Sequence, residues 1–224
     1  MTVGVILPAY NAAAHVGAVV REIREREPGF RVLVVDDGSV DGTDETARAT
    51  GAEVAIHAVN RGKGAALSTG FAWALAEGLE WVYTMDADGQ HLPAEMDRFL
   101  ERARAERLDV VVGNRMDRTG TMPWERKATN VFTSWVVGRM AGKRIPDSQN
   151  GFRLYRVEVL RGLTIAAQRY DAESEVLVKL GRRGARIGDV PVTAVYGVEK
   201  SSIRPLVDTG RFFRLVWRLR HEHH

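Results

Sequence analysis

The chain has 224 residues, 45% hydrophobic and 27% charged, a size and balance suited to one globular domain with a full core. Cysteine is absent, which excludes a disulfide framework and thiol catalysis. The net charge of +3, from 32 Lys and Arg against 29 Asp and Glu, is too small to imply nucleic acid as a partner.

The first part of the chain alternates β-branched runs with helical patterns. Strands are expected at Val3–Leu7, Arg31–Val35, Val54–Val59, Trp81–Met85 and Asp109–Gly113. Helices are expected between them at Ala12–Glu27, Asp41–Thr50, Lys63–Glu77 and Pro93–Glu106. Strands and helices alternating at these lengths imply βαβ units and an α/β, Rossmann-like, mostly parallel sheet covered by helices on both faces. The second part reads as a helix from Pro123 to Met140, a turn-rich stretch from Ile145 to Gly151, and a strand at Phe152–Tyr155. A helix at Glu173–Arg183, a strand at Val190–Tyr196 and an amphipathic helix at Pro205–Leu219 follow. No linker, repeat or low-complexity tract divides the chain. The expectation is one domain, with a first part over 1–115 and a second part of different character over 116–224.

No window approaches the roughly 20 apolar residues that span a bilayer, and Met1 leads into a strand-like run with no basic leader. The expected location is cytoplasmic, with any membrane attachment at the surface only. The closing His221-Glu222-His223-His224 is given no chemistry.

Ligands of open α/β sheets bind beyond the carboxyl ends of the strands, and four polar motifs sit at such ends. They are Pro8-Ala9-Tyr10-Asn11, Asp36-Asp37-Gly38-Ser39, Asn60-Arg61-Gly62-Lys63-Gly64 and Asp86-Ala87-Asp88-Gly89-Gln90. One acidic turn alone would read as a helix cap; four polar strand ends on one edge do not. Asp86 and Asp88, one residue apart, point to the same side and can hold a hard divalent cation, Mg²⁺ or Mn²⁺, that keeps positions open for phosphate oxygens. Gln90 can add a carbonyl ligand or a hydrogen bond. Such an ion stabilises a departing diphosphate. Asp37 can accept from a nucleobase NH, while Asp41 and Thr43 cap the next helix. Lys63 stands at a helix start, where amides and the dipole favour phosphate, although the spacing is not that of a P-loop.

Together these segments resemble family 2 glycosyltransferases of the GT-A fold, and within them dolichol- or polyprenyl-phosphate mannosyl- and glucosyltransferases. Gly113-x-Arg115 and Asp147-x-Gln149-x-Gly151-Phe152-Arg153 complete the set, which spans about residues 3 to 200 in family order. The resemblance implies transfer of a hexose from a nucleotide diphosphate sugar, of the GDP-mannose or UDP-glucose type, to a polyprenyl or dolichol phosphate. It implies donor contacts from Pro8, Ala9, Tyr10, Asp37, Lys63, Asp86, Ala87, Asp88, Gln90 and Lys200, and metal ligation by Asp86, Asp88 and Gln90. It projects acceptor-phosphate contacts onto Arg115, Arg126 and Asn130. Two departures stand out: Ala12 occupies a position where relatives carry an acid, and the C-terminal membrane spans of many relatives are missing.

Asp88 and Asp147 are the candidate catalytic residues. A hydroxyl acceptor needs a general base within hydrogen-bond reach, whereas a lipid phosphate is already an anion. Asp147 is then a base for a hydroxyl on a growing glycan, a group that orients a phosphate and its arginines, or a turn residue. His91 follows the metal motif, and His15 and His57 read as surface or packing residues.

Two helices have an interfacial character. Trp124, Val131, Phe132, Trp135, Val136 and Met140 form a stripe beside Arg126, Lys127 and Arg139; Phe212, Phe213, Leu215, Val216, Trp217 and Leu219 lie among arginines. A membrane surface is the expected partner, with core packing or a homodimer as alternatives. Three rival readings fit less well. A phosphatase of the haloacid dehalogenase type would carry its Asp-x-Asp near the N-terminus, followed by Gly-Thr. A nucleotidyltransferase would carry a Gly-rich basic loop near residue 10. A non-catalytic nucleotide-sugar-binding module would lack the metal or acceptor residues.

Overall fold

The structure is a computed structural model and describes residues 1–116, 124–167, 171–193 and 215–220. Its strands are β1 (Val3–Ala9), β2 (Arg31–Asp36), β3 (Glu53–Ile56), β4 (Trp81–Thr84), β5 (Val110–Asn114), β6 (Arg153–Arg156) and β7 (Ile187–Pro191). They form one sheet in the order β3-β2-β1-β4-β6-β5-β7. All pairings are parallel except those of β6, which runs antiparallel to both of its neighbours, β4 and β5.

The helices are α1 (Ala13–Arg26), α2 (Thr43–Arg48), α3 (Lys63–Ala76), α4 (Met96–Ala105), α5 (Trp124–Ala141) and α6 (Asp171–Arg182), with a further helix, α7, over 215–220. The central strands are mostly apolar, rich in Val, Ile and Leu, because both faces are covered. Alternate side chains go to opposite layers. Val5, Leu7, Val32 and Val34 pack with Val16, Val20 and Ile23 of α1 and Phe99 of α4. Ile6, Leu33, Val35 and Val82 pack with Leu67 and Phe71 of α3, Val137 of α5, Val176 of α6, and Leu215 and Leu219 of α7.

Two features of this topology build the site. The chain winds outward from β1 to β2 and β3, then returns to the other side of β1 as β4, so a crevice opens where the order reverses. The antiparallel β6 begins with Arg153 opposite both Thr84 and Val112. The turn that precedes β6 is thereby delivered to the edge where β4 and β5 end. The expected strand at Phe152–Tyr155 is present one residue later, but its direction is not written in its pattern.

Several boundaries differ from expectation for local reasons. The third strand ends at Ile56 rather than Val59, because His57 turns into the protein toward Asp37. The second helix starts at Thr43, because Asp41 serves another purpose. Its carboxylate accepts from Ala13 N at 3.0 Å and Thr43 N at 3.1 Å, and Thr43 Oγ1 accepts from Ala12 N at 2.8 Å. The loop after β2 therefore caps the start of α1 as well as its own helix. The helix expected from Pro93 opens with a 3-10 turn over Pro93–Glu95 before α4. The ends of the last expected strand and helix, at 194–196 and 205–214, lie outside the described residues.

Candidate active site

The loops that follow β1 and β2 are stitched together at the crevice. Ser39 Oγ accepts from Asn11 N at 2.9 Å, and Asn11 Oδ1 accepts from Val40 N at 3.1 Å. Asn11 adopts φ 50°, a left-handed conformation that Asn tolerates. Tyr10 is exposed beside this seam.

Asp37 is turned inward. Its Oδ1 accepts from His57 Nδ1 at 2.6 Å and Arg61 N at 3.0 Å, and its Oδ2 accepts from Gly62 N at 2.6 Å. A carboxylate only accepts, so Nδ1 carries a proton, and Nε2 lies 2.9 Å from Thr69 Oγ1. His57 and Asp37 are both buried, and Gly38 makes their approach possible. Gly38 has φ +77°, and a Cβ there would lie 2.6 Å from the Val59 carbonyl carbon. His57, expected to be a surface or packing residue, instead joins the loops after β2 and β3. The acceptor atoms expected to meet a nucleobase are largely spent on the Arg61–Gly62 backbone.

Beyond β4, Asp86 and Asp88 sit on the turn that leads toward α4. The Lys63 ammonium, from the first residue of α3, pairs with Asp86 Oδ1 and lies 2.8 Å from Glu173 Oε1 on α6. His91 Nε2 lies 3.3 Å from Asp86 Oδ2, and Asp88 Oδ1 accepts from Gln90 N at 2.9 Å. Burial works against the charge on Asp86, but Lys63 and His91 outweigh it and hold the carboxyl far below the usual carboxylate range. Burial also works against the Lys63 charge, and Asp86 and Glu173 reverse that effect, so its ammonium is held above the usual lysine range. Asp88 lacks a cationic partner of that strength. Burial and the charge of Asp86 push its carboxyl up.

This donor set fits a hard divalent cation. Two carboxylates share one turn, and one of them is disfavoured as an anion. Among the described residues no group of three or more His, Asp or Glu gathers as a complete protein-made metal site. An ion held by Asp86 and Asp88 would take its other oxygens from a diphosphate and water, the usual habit of Mg²⁺. The backbone leaves no spare volume beside Asp86 and Glu173. A Cβ on Gly151 would stand 2.7 Å from Asp86 Oδ2 and 2.8 Å from Glu173 Oε1.

The third group lies on the turn before β6. Asp147 is wholly buried and its oxygens are committed. Oδ2 accepts from Arg115 N at 3.1 Å and Arg115 Nε at 2.8 Å, while Oδ1 accepts from Arg115 Nη2 and Asn130 Nδ2, both at 3.0 Å. Burial alone would push the Asp147 carboxyl up; the fork of Arg115 and the Asn130 amide more than offset this and hold it below the usual range. Asn130 comes from α5, whose Ser134 Oγ accepts from Ser148 N at 2.8 Å, so helix and turn are fastened at two points. Arg153 is also wholly buried. It donates to the carbonyls of Asn150 and Ser148, both at 2.8 Å, and of Glu173 at 2.7 Å. The turn bearing Asp147 and the helix bearing Glu173 thus share one rigid arginine.

Residues 4–164 match the model of the family described as glycosyl transferase family 2. The chain belongs to that family. Among its relatives are an undecaprenyl-phosphate mannosyltransferase of Micrococcus luteus, 34% identical over 87% of this chain and 84% of that one. A polyprenol monophosphomannose synthase of Mycolicibacterium smegmatis is 34% identical over 88% of this chain and 80% of that one. Glucosyl-3-phosphoglycerate synthase of Mycobacterium tuberculosis, solved with phosphoglyceric acid, superposes with a TM-score of 0.73 at 26% identity, covering 97% of this chain and 78% of that one. The same enzyme solved with Mn²⁺ and uridine diphosphate, at 24% identity, shares the fold. The family 2 chain described here is accordingly a GT-A enzyme of the hexosyltransferase class.

Of the residues expected at the family 2 site, the sheet edge brings together Lys63, Asp86 and Asp88 in one cluster and Arg115, Asn130 and Asp147 in another. Pro8, Ala9, Tyr10 and Asp37 lie on the neighbouring strand ends. Lys200 and the side chain of Arg126 lie outside the described residues. The sequence reading assigned His57 and Glu173 no part in the site and placed Arg153 in the family motif without a role. The available signal was an arginine, Arg153, inside a strand pattern.

Proposed function

We propose that this chain is an inverting, metal-dependent transferase that moves a hexose from a nucleotide diphosphate sugar, of the GDP-mannose or UDP-glucose type, to a polyprenyl or dolichol phosphate. The observation that carries the acceptor assignment is the state of Asp147. A general base must present a lone pair to the attacking group. Asp147 is wholly buried, accepts from Arg115 and Asn130, and is held in its weakly basic anionic form. That suits an acceptor which is already an anion. The relatives whose names specify a polyprenyl-type phosphate support the same class.

In this reading the strand ends after β1, β2 and β3 receive the nucleotide, with Tyr10 exposed beside it and Lys63 near the phosphates. Asp86, Asp88 and Gln90 would hold a Mg²⁺ or Mn²⁺ ion, which would supply positive charge against the departing diphosphate. Arg115, fixed by Asp147 with its side chain still 20% exposed, and Asn130 orient the acceptor phosphate, with Arg126 on the same helix. A phosphate oxygen forms its bond to the anomeric carbon as the bond to the nucleotide diphosphate breaks, with inversion. Residues 1–115 serve the donor and 116–224 the acceptor, with Lys200 as a further donor contact.

The acceptor half also has a surface suited to a membrane. The buried face of α5 carries the polar Asn130, Thr133 and Ser134, while Val131, Phe132 and Trp135 are exposed. Over this stretch the polar residues face inward and the apolar ones outward, whereas Val137 and Ala141 further along are buried. Phe132 and Trp135 stack with ring centroids 6.4 Å apart, and Trp217 on α7 is 65% exposed. Among the described residues no helix is long and apolar enough to cross a membrane. We assign these aromatics to the lipid surface that delivers the acceptor, on the cytoplasmic face.

The test is to incubate the protein with labelled GDP-mannose or UDP-glucose, Mn²⁺ and a polyprenyl phosphate, then extract with organic solvent. Label entering the organic phase, and lost with EDTA, is the expected result. Label confined to water-soluble glycan would overturn the acceptor assignment.

A further inference from the structure

The Lys63 ammonium lies between two carboxylates from different elements. Asp86 follows β4 and keeps 31% of its side-chain exposure; Glu173, on the first turn of α6, keeps 4%. Glu173 cannot readily move. Its carbonyl accepts from the buried Arg153, and Gly151 packs against both acids. Two negative charges therefore share one positive charge. The buried acid holds the ammonium from behind, while the more exposed acid is the one within reach of a ligand.

A divalent ion arriving at Asp86 competes directly with Lys63 for the same carboxylate. A displaced ammonium would be stranded in a partly buried place, at high cost. Glu173 removes that penalty, because the ammonium already touches it and needs only to give up its second partner.

We propose that Lys63 is an exchangeable counter-cation for Asp86, released onto Glu173 when a divalent ion enters with the donor diphosphate, and that Glu173 is the positioning residue that permits the exchange. The inference rests on the assignment of a divalent ion to Asp86 and Asp88 made above. Its consequence is coupling. Without a nucleotide the ion competes with Lys63 and binds weakly; with a diphosphate present, both cations find anionic partners and binding tightens.

The experiment is Mn²⁺ titration followed by electron paramagnetic resonance, with and without GDP or UDP, on the full chain and three variants. Lys63→Met removes the competitor but leaves Glu173 buried without its partner. The doubly substituted Lys63→Met/Glu173→Gln chain removes both charges and is the deciding variant. It should bind Mn²⁺ alone about tenfold more tightly than the unsubstituted chain, the scale expected when a partly buried ion pair no longer competes. Glu173→Gln leaves Lys63 with Asp86 as its remaining anionic partner, and should bind Mn²⁺ alone several-fold more weakly. Mn²⁺ affinity unchanged across these variants, or a Glu173→Gln chain that only loses thermal stability, would overturn the exchange. The nucleotide arm separates this failure from a deeper one. If the unsubstituted chain retains no Mn²⁺ even with GDP or UDP, the metal assignment itself falls, and the exchange falls with it.

Discussion

Asp147 grips Arg115 through a two-pronged contact, Nε to Oδ2 at 2.8 Å and Nη2 to Oδ1 at 3.0 Å, while the arginine's own amide closes on the same Oδ2. The fork fixes the guanidinium plane, so Arg115 enters the site already oriented. Its partner's folded-state carboxyl is held below the ordinary value. A depressed carboxyl contributes stability that is fully present above the unfolded value of about 3.9 and is lost as pH falls through the folded value. Asp147→Asn should therefore be less stable than the parent by about 2–3 kcal/mol at pH 7, with the gap closing below about pH 4. Denaturant titration across that range checks this. In kinetics, the same variant should raise the acceptor KM far more than the donor KM.

His57 links Asp37 to Thr69 from a buried position. His57→Phe fills similar space but removes both hydrogen bonds, and should destabilise the fold by about 1–3 kcal/mol. The Arg61–Gly62 loop would lose its fixed carboxylate, so nucleotide binding should weaken while acceptor binding holds. Calorimetry with GDP or UDP reads the first effect. Equal affinity in both proteins would mean that the loop orders itself without His57.

Asp88 is strained toward its neutral form by burial and by Asp86. A carboxyl whose folded value is raised destabilises the folded protein at neutral pH. Asp88→Asn should thus have a Tm at or above that of the parent in EDTA, yet lose the thermal shift given by Mn²⁺ with nucleotide, and lose transfer. Retained metal-dependent turnover would remove Asp88 from the metal site.

The C-terminal helix divides its apolar residues between two tasks. Leu215 and Leu219 are buried in the core, whereas Trp217 is exposed, and Arg218 Nη2 donates to the wholly buried Glu175 at 2.9 Å. Deleting 205–224 would strip the core of two leucines, each contributing about 1.5–3 kcal/mol, and would confuse folding with binding. The sharper variant is Phe132→Ser/Trp135→Ser/Trp217→Ser. It should sediment less with anionic vesicles at unchanged Tm. Unchanged sedimentation, together with a parent that elutes as a dimer and a variant that elutes as a monomer, would assign the patch to a second copy of the chain instead.

The parallel half of the fold was legible because doubly covered strands are mostly apolar, rich in Val, Ile and Leu, and because ligand loops must follow them. Asp86-Ala87-Asp88 and Lys63 could be read from their strand-end positions alone. The direction of β6 could not, since four residues with Arg153 and Tyr155 in them carry no sign of which neighbour they pair with. Glu173 and Glu175, and the partners of Arg153, were also hidden: charged residues read as surface until their partners, some of them distant in sequence, are known. The buried polar residues of α5 follow the same rule. Asn130, Thr133 and Ser134 are inside because the turn bearing Asp147 hydrogen-bonds with them, and no periodicity announces that.

The most direct test of the central claim compares two acceptors of equal chain length, polyprenyl phosphate and the corresponding polyprenol, with the same labelled donor and Mn²⁺. The account predicts transfer to the phosphate and none to the alcohol, because Asp147 is committed to Arg115 and Asn130 and offers no base. Transfer to the alcohol that disappears in Asp147→Asn would contradict it, and would make Asp147 the general base of a hydroxyl-directed enzyme.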